Sequence, residues 1–381
     1  MTYYARSNVK PASTGAASRL LSLDPILLLV ALALTAYGIF AVYIAGTDDN
    51  EAYAFNQALG FVLGLVFAVP LALLDYRILQ RYLKYLYVAT IVMLLAVMFF
   101  GFVAGGAQSW IDVGPVQVQP SEFAKVLMVV VLAGYMIEHP INQNKNFLKS
   151  LGLIAAPTLL VFLQPDLGTA LVFGAIFVTM AYIGGARILQ LGTLAAAGAL
   201  LAYLAIKVGI LADYQVARLT SFLDQSGGND LGYQVAQSKM AIGSGGLTGK
   251  GLDATTLANL GFLPEDHTDF IFSNLAERLG FAGAILLIFL FFVLTWRILH
   301  IATVSRDRFG VLLAVGVGTI FLFHVFVNIG MTMGIMPVTG IPLPFISYGR
   351  SSLVVSIISL GLLQSIAIRS RSEYGKHPNP S

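Results

Sequence analysis

PILLLVALALTAYGIFAVYIA, residues 25–45, carries no charged side chain over 21 consecutive positions. At about 1.5 Å of rise per residue a helix of that length reaches about 31 Å, which matches the hydrocarbon core of a bilayer. Arg6, Lys10 and Arg19 precede it as the basic residues of a signal peptide would. The run is long enough to span, however, and no cleavage site follows it, so it reads as a first transmembrane helix.

The rest of the chain repeats that character. Hydrophobic residues make up 57% of it and charged residues 11%, a balance far from that of soluble domains. Further apolar segments lie near residues 55–75, 85–103, 122–138, 150–163, 167–185, 188–211, 280–299, 309–330 and 345–368, the segment at 150–163 being the shortest. The expected fold is therefore an all-α polytopic membrane protein, a single integral domain of about ten transmembrane helices. A large extracytoplasmic loop, residues 212–279 with interfacial helices, separates the seventh span from the eighth. With the N-terminus inside, 15 of the 22 Lys and Arg residues fall in cytoplasmic segments, as the positive-inside rule requires. Residues 1–24 and 369–381 are then cytoplasmic, and the loop carries eight acids against four bases.

Several chemistries are excluded or disfavoured. Zero cysteines remove disulfides, thiolate metal sites and cysteine nucleophiles, and a net charge of +3 gives no reason to expect nucleic acid. The glycine-rich run at 243–251, GSGGLTGKG, follows a short amphipathic segment from Gly232. It fails as a phosphate loop because Ser244 and Gly251 stand where a Walker motif needs glycine and Ser or Thr.

Polar groups close to or inside spans are more informative, since an ionisable side chain in hydrocarbon is costly. Glu122 and Lys125 stand i, i+3 on the fourth span, so they face the same way as an internal pair, with Ser121 able to cap that helix. Asp166, in QPDLGT (164–169), suits a cap as well as a catalytic role. Asn328 and the run from Pro337 to Ser352, with three prolines, describe a re-entrant turn. PEDHTDFIFSNLAERLG (264–280) places four carboxylates and a histidine ahead of an apolar run. Asp266 or Thr268 can cap a helix there, with Asp269 at its mouth and Glu277 about 12 Å deeper on nearly the same face.

QPSEFAK (119–125), QPDLGTAL (164–171), YQVAQSKMAIGSGGLTGKGL (233–252), LPEDHTDFIF (263–272), NIGM (328–331) and GIPLPFISYG (340–349) together resemble the SEDS family of shape, elongation, division and sporulation proteins. The lipid-linked peptidoglycan polymerases RodA and FtsW belong to it, and GSGGLTGKGL is more similar to the RodA branch. The resemblance covers nearly the whole chain and implies a ten-helix bundle in the bacterial cytoplasmic membrane with both termini cytoplasmic.

For chemistry it implies glycosyl transfer that extends glycan strands with lipid II as substrate. Asp269 matches the family's essential aspartate and would be the general base, with a divalent cation, Mg²⁺ or Mn²⁺, whose ligands no motif fixes beyond a possible Asp269. Lys125, Arg218, Lys239 and Lys250 would meet substrate phosphates, with Glu122 orienting Lys125. His267, Thr268, Ser347 and Arg350 complete the expected substrate contacts, and Asp166 and Glu277 are structural or orienting. The implied partners are a class B penicillin-binding protein and other elongation-complex membrane proteins, the former docking where Gly283, Gly310, Gly316 and Gly318 permit close approach. Departures from the family's pattern at Ser109, Val216, Arg278 and Arg350 suggest that a phosphate clamp has moved to Arg350. Two other function classes are a lipid II flippase, needing a charged path begun by Glu122 and Lys125, and a non-catalytic scaffold for the transpeptidase.

Overall fold

The computed structural model describes residues 22–45, 50–104, 107–114, 116–209, 218, 230–252 and 267–372. Among these, eleven α-helices run in the order α1 (Pro25–Tyr43), α2 (Asn50–Leu73), α3 (Leu83–Phe100), α4 (Pro120–Glu138), α5 (Asn144–Leu163), α6 (Leu167–Ile183), α7 (Ile188–Val208), α8 (Asp230–Ser244), α9 (Ile271–Val304), α10 (Arg308–Thr332) and α11 (Arg350–Ser372). Nine are long and apolar enough to cross a membrane, and α6, at 17 residues, is the tenth apolar helix. All ten expected spans are therefore present. The segment at 150–163 is not the short one: α5 starts at Asn144 and has 20 residues.

Helix starts follow local chemistry. Asp24 accepts from the Leu27 N–H at 3.0 Å with Pro25 at the first helical position, Asp166 accepts from Thr169 at 2.9 Å, and Asp307 accepts from Gly310 at 2.7 Å. The expected cap by Ser121 is not made. Pro120 takes the first turn of α4, which moves the cap to Gln119, and the buried Ser121 hydroxyl has no partner.

Beside the helices a small antiparallel sheet lies between α3 and α4, with strands β1 (Phe102–Ala104), β2 (Ala107–Val113) and β3 (Val116–Val118) in that order. Ser109 lies buried on β2 with its hydroxyl unpartnered. The Ser351 hydroxyl receives the Gln119 N–H at 3.0 Å and donates to Gln117 O at 3.2 Å, which ties the end of this sheet to the start of α11.

Helix α11 is the spine of the bundle, buried along nearly its whole membrane-spanning length, with α4 and α10 beside it. It lies along α2, where small residues let the backbones approach: a Cβ on Gly361 would meet Ala68 O at 2.6 Å, and one on Gly64 would meet the Ile357 side chain at 2.9 Å. Three of its buried serines, Ser356, Ser359 and Ser370, return their hydroxyls to carbonyls one turn back, as Ser356 does to Ser352 at 2.7 Å. By contrast α7 is peripheral and almost unburied by the rest of the protein.

One end of the bundle is tied by a buried Arg297–Asp24 ion pair, with Gln364 bonded to the Asp24 backbone, and by Asp307 bonded to both Tyr76 and Arg77. Opposite lies the end that carries the sheet, the α5–α6 turn, residues 267–270 and the irregular segment 333–349.

Gly283, Gly310, Gly316 and Gly318 do not line an open docking face. Cβ atoms added there would meet Leu279 and Tyr37, Ser305 and Tyr76, Val129 and Met180, and Ile298 respectively, so the small residues serve packing inside the bundle.

Candidate functional site

The apolar run after residue 264 does not form one helix. Gly280 has φ 66° and ψ −165°, a conformation reserved for glycine, which divides α9 into a short helix from Ile271 and a long membrane span. The short helix begins at Phe270 with no side-chain cap, so Thr268 does not cap it, and Asp266 lies outside the described residues. Asp269 therefore sits on a turn just ahead of a helix rather than in its first turn.

That turn is held carbonyl by carbonyl. The Tyr348 N–H donates to His267 O at 2.9 Å, the Ser347 hydroxyl donates to Thr268 O at 2.7 Å, and Asn328 Nδ2 donates to Asp269 O at 3.1 Å. Asn328 gives its other amide proton to Ile341 O at 2.8 Å, and Ser347 Oγ accepts the Leu343 N–H at 2.8 Å. Three consecutive backbone groups are thus bound to α10 and to the irregular segment. This fixes the Asp269 backbone while its side chain remains partly exposed.

Arg218 comes to the same place from the loop, donating to Thr339 O at 2.8 Å. Gly340, at φ +72°, lies between the two side chains. A Cβ there would stand 3.4 Å from Asp269 Oδ2 and 3.6 and 3.7 Å from the Arg218 guanidinium nitrogens. A carboxylate and a guanidinium therefore converge over a bare patch of backbone.

Lys125 and Glu122 form the expected pair, 2.7 Å apart and buried. His324, which sequence reasoning passed over, is the third member: its Nε2 lies 2.9 Å from Lys125 Nζ and its Nδ1 3.1 Å from Pro342 O. A carbonyl only accepts, so Nδ1 carries the proton and Nε2 accepts from the ammonium. His324 stands one turn before Asn328 on α10, roughly 6 Å away along the axis. The cluster therefore props the irregular segment from beneath and does not open to the surface.

The other expected residues are placed as follows. Lys250 Nζ lies 2.5 Å from the fully buried Glu277 carboxylate. Arg278 donates to Asn274 Oδ1 at 3.1 Å and to Leu252 O at 2.6 Å. Lys239 is exposed on α8, Asp166 caps α6, and Ser347 acts through the backbone bonds above. Arg350 opens α11 beside Tyr348, whose hydroxyl is pushed above its ordinary value by burial against the opposing pull of Arg350, so it stays protonated. Val216 lies outside the described residues. The glycine-rich turn cradles protein rather than phosphate: the N–H groups of Lys250 and Gly251 bond Glu277 O and Arg278 O at 3.0 and 3.1 Å, and Phe281 N–H returns to Gly246 O at 2.9 Å. Among the described residues no three His, Asp or Glu side chains gather as a metal site.

A family model for cell cycle proteins, FtsW/RodA/SpoVE, matches residues 24–372. The chain belongs to that family. Among relatives of this FtsW/RodA/SpoVE member, the peptidoglycan glycosyltransferase MrdB of Escherichia coli (strain K12) is 40% identical over 348 residues, covering 90% of this chain and 93% of MrdB. Stage V sporulation protein E of Bacillus subtilis (strain 168) is 36% identical over 366 residues, covering 91% and 98%. A chain from a peptidoglycan synthase complex that coordinates polymerisation and crosslinking superposes with a TM-score of 0.80 at 30% identity, covering 92% of this chain and 99% of its own. The rod shape determining protein RodA of Thermus thermophilus gives 0.69 at 28% identity, covering 93% and 98%. This FtsW/RodA/SpoVE chain is a multi-pass inner-membrane enzyme of the peptidoglycan glycosyltransferase class.

Proposed function

We propose that the protein polymerises glycan strands from lipid II, the undecaprenyl-diphosphate-linked disaccharide-peptide, with Asp269 as general base, in cell elongation and shape maintenance. The observation that carries this reading is the placement of Asp269: a partly exposed carboxylate on a backbone bound at three successive carbonyls, with Arg218 facing the same glycine. A held carboxylate takes the proton from the acceptor's 4-hydroxyl as that oxygen attacks the anomeric carbon, which inverts. The diphosphate leaves with its negative charge, which Arg218 is placed to meet. Glu122, Lys125 and His324 act through the segment they support.

A Mg²⁺ or Mn²⁺ ion would neutralise the same diphosphate. Asp269 would supply one hard oxygen ligand to such an ion. The Asp269 end of the bundle is then the outer one and both termini are cytoplasmic, consistent with the distribution of Lys and Arg. A class B penicillin-binding protein is the expected partner, as crosslinking must follow polymerisation.

The test is Asp269→Asn, which removes the base at nearly constant volume. Polymer formed from purified lipid II should fall about 10²- to 10⁴-fold while thermal unfolding is unchanged. Undiminished polymer would remove Asp269 as the catalyst, and a wild-type protein that moves lipid II across vesicles without polymerising it would establish the flippase reading instead.

A further inference from the structure

Three aromatic rings meet beside Asp269. Tyr53, in the first turns of α2, stacks on His267 with ring centroids 5.1 Å apart and planes 9° from parallel. Tyr348 lies 4.7 Å from Tyr53 and 5.9 Å from His267, tilted by 56° and 55°. The three come from distant parts of the chain and are locked together through the backbone. Tyr348 donates its N–H to His267 O, and the fully buried Gln57, one turn after Tyr53, brackets Tyr348 by donating to Ser347 O at 3.0 Å and receiving the Gly349 N–H at 3.4 Å. All three rings nevertheless keep part of their surface exposed.

Tyr53 and Tyr348 pack against the core from its edge, unlike Phe345 and Phe321 inside it, which are 1% and 2% exposed. Nor do they belong to an interfacial belt, whose tyrosines are far more exposed, as Tyr85 is at 73%. His267 precedes Asp269 by two residues, so the platform begins within about 7 Å of the base along the chain. The C–H face of a pyranose is apolar and carries slight positive charge, which suits the negative face of an aromatic ring. Hydroxyl and acetamido groups at the sugar's rim would find the Tyr348 hydroxyl, which already shares a hydrogen bond with Asn56, and the imidazole of His267.

We propose that Tyr53, His267 and Tyr348 form a saccharide-binding platform that seats the pyranose ring of the acceptor glycan, placing its hydroxyl at Asp269. The proposal rests on the glycosyl-transfer reading for the word acceptor, but not for the binding itself.

The experiment uses the full-length protein in nanodiscs and two readouts. One is binding of a β-1,4-linked N-acetylglucosamine tetramer, followed by saturation-transfer NMR, and the other is KM and kcat for lipid II. Tyr53→Leu keeps apolar volume without a ring and should weaken tetramer binding and raise KM about three- to tenfold, with kcat within about twofold. Tyr53→Phe, which keeps the ring, should recover the affinity. His267→Leu, on a turn and outside the helices, serves as the second variant should Tyr53→Leu unfold at lower temperature. Polymer formation with tetramer binding and KM unchanged in both leucine variants overturns the platform and leaves the polymerase reading intact. Absence of wild-type polymer, with tetramer binding still lost in the leucine variants, overturns the polymerase reading and keeps the platform. A wild-type protein that does not bind the tetramer overturns the platform whatever its activity.

Discussion

Replacing Asn328 by leucine separates the anchoring of Asp269 from its chemistry. In the native structure the Asn328 amide donates to Asp269 O and to Ile341 O, while its own Oδ1 is buried without a partner. Leucine, of similar size, removes both donations and also removes that orphaned oxygen. Each carbonyl left unpaired costs about 1–3 kcal/mol, and the loss of one orphan returns a similar amount, so net destabilisation should be about 1–3 kcal/mol. The larger effect falls on catalysis. Asp269 loses one of three backbone restraints, and a displacement near 1 Å at a reacting group costs about 10²-fold in rate. Thermal unfolding together with steady-state glycan polymerisation measures both. The expected result is a kcat lowered about 10- to 100-fold with KM little changed, because Asn328 is fully buried and does not meet substrate. Wild-type kcat in a folded Asn328→Leu protein would refute the view that the carbonyl clamp positions the base.

Lys250→Met leaves Glu277 without its ammonium partner in a fully buried site and should lower stability by about 3 kcal/mol, the low end for such pairs because the Lys250 side chain is one-third exposed; thermal unfolding reports it, and a larger rise in lipid II KM than loss of stability would restore Lys250 as a phosphate contact. Gly249→Ala combines a positive φ of 82° with overlap on Arg278 O, and should cost at least about 2 kcal/mol in a folding assay. For topology, cysteines at Asn50 and Asp230 should react with an impermeant maleimide in intact cells, and one at Gln143 only after permeabilisation; the reverse pattern would invert the bundle.

The membrane spans were legible because bilayer thickness sets a length that sequence either meets or does not. Local polar chemistry was legible where partners are close in sequence, as with the cap from Asp166 to Thr169 and the Glu122–Lys125 pair at i, i+3. What escaped was chemistry joined over distance. Asn328 reaches Asp269 across 59 positions, Ser347 reaches Thr268 across 79, and His324 reaches Lys125 across 199, separations at which no periodic pattern exists. The break at Gly280 escaped for another reason. A glycine at the start of an apolar run gives no sign of a kink, and the opposing backbone of residues 247–249, which leaves no room for a Cβ, demands it.

That kink explains what the glycine-rich turn binds. Its N–H groups meet the carbonyls of Glu277 and Arg278, which the end of a short helix exposes just before Gly280. The helix from Ile271 is thereby gripped at its far end by residues 245–251, while the turn before it is gripped by Asn328, Ser347 and Tyr348. Asn274, midway along, donates to Ala45 O at 2.9 Å and pins the same short helix to the end of α1. An unsupported loop beside a membrane would let a carboxylate wander over several ångströms, and a general base must stay within hydrogen-bond reach of its proton. A carboxylate on a turn that leads into a two-turn helix fastened at both ends and in the middle meets that requirement, while the side chain itself stays partly exposed to receive a substrate.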